Sequence, residues 1–145
     1  MKSKLLHENE DEKSYVVVFQ TGEEVASGLL EFASRQQIRA ARFSAIGALQ
    51  MLTLGYFDWQ TKEYLKIRVG EQVEVLSLAG NLVTSPEGPK VHAHVVVGKR
   101  DGTAHGGHLI DAIVRPTLEV MLVESTSETL VRQHDDASGL ALIKI

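Results

Sequence analysis

Two histidines stand one residue apart in Val91-His92-Ala93-His94-Val95-Val96-Val97, and a third closes Gly106-Gly107-His108. The segment around the first pair is rich in β-branched residues. In a β-strand successive side chains alternate faces, so His92 and His94 project side by side. Two neighbouring imidazoles suit a small ion of borderline softness, and three His with one open position is a known zinc arrangement. The chain has no cysteine, so a transition-metal site must draw on His, Asp or Glu.

The third ligand depends on register. Arg100-Asp101-Gly102 has the composition of a tight hairpin, because Asp-Gly accepts the positive φ such turns need. A three-residue loop centred on Asp101 pairs His94 with His108 and Val97 with His105, which brings His108 to the pair. A two-residue loop pairs Gly98 with His105 and Val95 with His108, which brings His105 to the ligand face instead. A slip of one residue exchanges the faces, and both registers are open at this level. The competing structural reading is of imidazoles hydrogen-bonded at a wet interface. His7 and His134 lie in polar segments and are expected to be solvated.

Glu74 is the candidate catalytic carboxylate. It alternates with Val73 and Val75 in a strand-like run and shares a face with Leu76 and Leu78. A Glu in apolar surroundings would have a raised pKa unless paired. It would then serve as a partner for a His ring, or as a base for a metal-bound water. Pairing with an arginine at the edge of the core is the structural alternative. Glu119, between Leu118 and Val120, invites the same readings. No Gly-rich phosphate loop and no nucleophile elbow is present. Tyr56, Phe57 and Trp59 are expected to make core or subunit contacts rather than a base-stacking platform.

The elements that must position these residues are mostly strands. Ser14–Gln20 reads as a buried first strand. Thr21-Gly22-Glu23-Glu24 has the form of a capping box, opening an amphipathic helix over Glu23–Arg35 with Val25, Leu29, Phe32 and Ala33 on one face. Arg39–Ala48 and Met51–Trp59 are expected to be paired strands meeting at Gly47. Glu63–Val69, Gln72–Val83, Lys90–Gly98 and Thr103–His108 follow as strands. Leu109–Val114 reads as a connector or helical turn, and Thr117–Ser125 and Leu140–Ile145 as closing strands. The fold class is α+β, a mostly antiparallel sheet with one long helix.

Of the 145 residues, 43% are hydrophobic and 23% charged, and the formal net charge is -4. This is the composition of a globular chain, expected to form one domain over residues 14–145 behind a charged segment, 1–13. That segment lacks an apolar core and no long apolar run follows, so secretion and membrane partners are not expected. With no cysteine, a cytoplasmic location is. Lys and Arg are scattered, the one adjacent pair being Lys99-Arg100, so nucleic-acid binding by charge is disfavoured.

Several stretches resemble the PPC domain, the plants and prokaryotes conserved domain. They are Phe43-Ser-Ala-Ile-Gly-Ala48, Leu54-Gly-Tyr-Phe57, Val73-Glu-Val-Leu-Ser-Leu-Ala-Gly-Asn81, Lys90-Val-His-Ala-His94, and Asp101-Gly102 with Gly106-Gly-His108. The resemblance runs from about Tyr15 to Glu124. It implies an antiparallel sheet of about seven strands flanked by helix, assembled as a homotrimer. It also implies a metal, zinc, on His92, His94 and His108 near a subunit boundary. Plant members carry Arg-Gly-Arg-Pro hooks for the DNA minor groove, and this sequence has none. Two functions follow as expectations. One is a metal-binding regulatory or DNA-associated module. The other is a zinc-dependent hydrolase or lyase using metal-bound water, with Glu74 moving protons.

Overall fold

The computed structural model describes residues 1–145 and contains nine strands and one helix. In chain order they are β1 (Lys2–Glu8), β2 (Glu12–Gln20), α1 (Val25–Gln36), β3 (Ala40–Asp58), β4 (Glu63–Val69), β5 (Val73–Ser85), β6 (Gly88–Gly98), β7 (Ala104–Ser125), β8 (Val131–Asp135) and β9 (Leu140–Lys144). All join one sheet in the order β1-β2-β7-β3-β5-β8-β9, with β4 on β3 and β6 between β5 and β7. The pairings β3–β5, β5–β6, β6–β7 and β7–β3 make a closed circuit. Every pairing is antiparallel except a single parallel bridge, Thr84 to Val131.

The sheet is two strands larger than the seven expected. β1 has no buried side chain. It forms through main-chain pairing to β2, which apolar patterning cannot reveal. β8 arises in a polar segment, held by its hairpin partner β9. Two further expectations are corrected. Residues 40–58 run as one strand instead of two paired ones, with register shifts at Ala45/Gly47, Gly47/Leu49 and Leu49/Met51. Leu109–Val114 is extended inside β7, not helical. Leu109, Ala112 and Val114 are buried, and the three-residue step from Leu109 to Ala112 is absorbed by the register shift opposite Thr53/Leu54. Gly47 sits at φ +148, and a Cβ there would lie 2.3 Å from the Thr117 carbonyl. Only glycine lets the two backbones approach this closely.

Helix α1 buries Val25, Leu29, Phe32 and Ala33, as the spacing predicts. Its cap is Glu24 rather than Thr21. The Glu24 carboxylate accepts from Ala26 N at 3.1 Å and Ser27 N at 2.7 Å, and from Ala112 N in β7 at 3.2 Å. Thr21 instead donates its hydroxyl to the Pro116 carbonyl, and Glu23 pairs with the N-terminal amine. The helix packs on β6 and β7, and one core of 28 buried residues joins its apolar face to the inner faces of the strands. The histidine strand contributes Ala93, Val95 and Val97 to this core. Its alternate residues, His92, His94 and Val96, are thereby turned outward.

Candidate metal centre

The β6–β7 hairpin settles which histidines meet. Lys99 N donates to the Thr103 carbonyl and Gly102 N to the Lys99 carbonyl, both at 2.9 Å, so three residues, Arg100 to Gly102, form the loop. Gly102 takes φ +82. Asp101 fixes the return by accepting from Thr103 N at 3.0 Å and Thr103 Oγ1 at 2.6 Å. His94 therefore faces His108, and Val97 faces His105. His105 is exposed near the hairpin tip and outside the cluster.

His92, His94 and His108 each place a ring nitrogen within 4.8 Å of the others. The Nε2 atoms of His92 and His94 are 3.3 Å apart. Two nitrogens at 2.0–2.1 Å from a tetrahedral ion stand about 3.3 Å apart, so this pair already has the spacing of two ligands. Ring centroids lie 5.2 Å apart for His92 and His108 and 5.6 Å for His94 and His108. Nδ1 of His108 is buried with no hydrogen-bond partner. Tyr64 from β4 stacks on that ring at 4.7 Å, fixing its plane without occupying either nitrogen.

The electrostatics favour neutral rings. Burial, then the neighbouring His92 and His94, push the His108 pKa down to about 4. His92 is lowered by burial, then by the Arg132 charge and His94. Near pH 7 both rings are unprotonated, with lone pairs free for a cation. A donor set of three imidazoles fits a borderline divalent ion such as zinc.

Two glycines let this arrangement form. A Cβ on Gly80 of β5 would lie 2.4 Å from the His92 carbonyl, and one on Gly107 would lie 2.8 Å from the Gly55 carbonyl. The β5–β6 and β3–β7 backbones thus press together on either side of the rings.

The carboxylates are placed elsewhere. Glu74 is exposed and pairs with Gly98, four residues along β6 from His94 and so about 13 Å away at strand rise. The apolar environment anticipated for it is absent, because its face of β5 is the outer one. Glu119 is also exposed, opposite Ile46. Tyr56 and Trp59 are largely exposed, while Phe57 packs against Tyr64.

A cleft of 310 Å³ opens beside the rings. His92 and His108 form part of its wall, with Tyr64, Arg132, Leu140 and Leu142 among the others. Sequence reasoning missed Arg132 and Tyr64. Neither carries a spacing signal, since each reaches the site through tertiary pairing of its strand.

The family of the Plants and Prokaryotes Conserved (PCC) domain, also abbreviated PPC, matches residues 6–126. The chain belongs to this family. Among solved structures, this PPC chain is similar to a metal-containing protein from Archaeoglobus fulgidus, with 36% identity, a TM-score of 0.87 and full coverage of both chains. It is also similar to a candidate DNA-binding protein from Bacteroides thetaiotaomicron, with 30% identity and a TM-score of 0.87 over 98% of this chain and 96% of that one. A curated relative, the bifunctional protein GlmU of Synechococcus, is 36% identical over 120 residues, 81% of this chain. The match spans only 18% of that relative's length. All three clustered histidines fall inside the family match, whereas Arg132 and the β8–β9 hairpin lie beyond it.

Proposed function

We propose that this PPC chain is a homotrimeric zinc-binding module with a regulatory or DNA-associated role, its metal held by His92, His94 and His108. The observation that carries the reading is the convergence of three ring nitrogens within 4.8 Å, two of the rings held neutral by burial. The metal-containing relative from Archaeoglobus fulgidus supports it. Zinc would supply a fixed positive charge and Lewis acidity at the outer face of β6. The chain's own part is to hold the rings: Tyr64 stacks on His108, and the Asp101 turn sets the register.

The trimer is supported by the outer face of the sheet. Ile46, Leu76, Val96 and Met121 are 63%, 56%, 41% and 51% exposed. They lie on β3, β5, β6 and β7, on the same side as His94. Neighbouring apolar residues of this size on one sheet mark an association surface. A DNA-associated role is supported by the Bacteroides relative, while the acidic net charge and the missing Arg-Gly-Arg-Pro speak against direct DNA contact by this chain.

The second reading, a metal-dependent hydrolase or lyase, is favoured by the cleft that reaches His92 and His108. It ranks lower because no carboxylate joins the cluster to move a proton.

Light scattering on the eluting protein and a chelator-competition titration test the proposal together. A mass near 48 kDa, about three times the chain's 15.9 kDa, and one zinc per chain, lost in His92→Ala/His94→Ala, are expected. A monomer, or zinc affinity unchanged in the double variant, contradicts it.

A further inference from the structure

Arg132 is the one buried cation of the fold, 6% exposed on β8. It has no carboxylate within ion-pairing distance. Its Nη1 donates to the Ala141 carbonyl at 2.8 Å and its Nη2 to Asn81 Oδ1 at 2.7 Å, while Nε is buried without a partner. A guanidinium has five N–H donors, so each Nη keeps one uncommitted. Burying a charge without a counter-ion is costly, and this one is fixed in place by two good hydrogen bonds.

Its position gives the charge a use. Arg132 lines the same 310 Å³ cleft as His92 and His108, and the walls between are apolar: Val91, Leu140 and Leu142. The remaining charges, Lys90 and Glu87, pair with each other at 3.0 Å and are largely exposed. The only unbalanced charge facing the cleft is therefore positive, and a metal on the histidines would add to it. At this volume the site takes a small molecule, the lower end of ligand pockets being roughly 300 Å³. Arg132, Leu140, Ala141 and Leu142 of this lining come from the β8–β9 hairpin, outside the residues 6–126 that include the three histidines.

We propose that this cleft binds a small aliphatic carboxylate, its anionic group set between the Arg132 guanidinium and the histidine metal centre and its apolar part against Leu140 and Leu142. A planar fork of N–H donors matches a carboxylate, and the apolar wall favours a hydrocarbon tail over a fully charged ion such as phosphate. The proposal rests on the metal reading for one of its two positive partners.

Cobalt(II)-loaded protein tests it, because the visible bands of cobalt report both metal binding and a ligand arriving beside the metal. Propionate, propionamide and inorganic phosphate are titrated into wild type and Arg132→Gln. Propionate is expected to shift the wild-type bands saturably, with propionamide inert and phosphate weaker. Arg132→Gln should keep its cobalt spectrum and bind propionate about 10- to 100-fold more weakly. Equal propionate affinity in the variant, or phosphate binding more tightly than propionate, overturns the proposal. The comparison of propionate with propionamide needs no variant, so a misfolded Arg132→Gln leaves that arm decisive. If cobalt fails to bind, the metal reading falls. The Arg132 assignment then stands or falls on whether propionate, and not propionamide, raises the melting temperature of the metal-free protein.

Discussion

Acid should unfold the metal-free protein earlier than its carboxylates require, and His108 is the reason. Its pKa is about 4 in the fold and about 6.5 in an unfolded chain. Between those values the unfolded state binds a proton that the native state refuses. Stability therefore falls as pH drops through 6.5 and levels off below about 4. From pH 7.5 to 5.5 this one ring accounts for about 1.3 kcal/mol by linkage. Solvent screening at a half-buried ring lowers the figure, to a range of about 0.5–1.3 kcal/mol. The lowered pKa of His92 acts in the same direction. The assay is urea unfolding with chelator present, at fixed protomer concentration, for wild type and His108→Gln at both pH values. At an m-value near 2 kcal/mol/M, the wild-type midpoint should fall by roughly 0.3–0.6 M more than that of the variant. Zinc at saturating concentration should raise the wild-type midpoint at both pH values without removing the acid loss, because a metal-bound ring likewise refuses the proton that the unfolded chain takes up. Identical acid losses in the two proteins would refute the reasoning.

Further perturbations reach other parts of the account. Gly80→Ala places a Cβ 2.4 Å from the His92 carbonyl and 2.9 Å from the Ala93 Cβ; a loss of about 1–3 kcal/mol and weaker zinc binding are expected by unfolding and chelator competition. Glu24→Ala removes three acceptor contacts that cap α1 and tie it to β7, and should cost about 1–2 kcal/mol with zinc affinity preserved. Met121→Glu puts a charge on the exposed apolar face and should dissociate the proposed trimer into folded monomers, read by light scattering and circular dichroism. DNA binding by gel shift at physiological salt should be weaker than about 1 µM, given the formal net charge of -4 and the counterion-release basis of such affinity.

Where side-chain pattern encodes the structure, the sequence was readable. Alternation in Val91–Val97 correctly set His92 and His94 side by side on one face, and the structure puts Ala93, Val95 and Val97 of the other face in the core. Asp101-Gly102 allowed two registers, and the structure takes the one that joins His94 to His108. The choice between them lies in the Thr103 hydrogen bonds to Lys99 and Asp101, which spacing alone does not expose. Strand β1 was hidden because its seven residues are all exposed and only its main chain is engaged. The Leu109–Val114 segment was misleading because a register shift breaks its period of two. Glu74 looked buried between apolar neighbours, but Leu76 beside it belongs to the outer face, 56% exposed. Arg132 and Tyr64 reach the histidines from strands remote in sequence, and no local pattern carries that information.

Elemental analysis of tag-free protein, purified without added metal or chelator and set beside His92→Ala/His94→Ala, bears most directly on the metal centre. One divalent metal ion per chain in the wild type, zinc, and none in a double variant that still folds, is the predicted result. Metal at equal occupancy in both proteins, or in neither, would contradict the assignment of His92, His94 and His108 as its ligands.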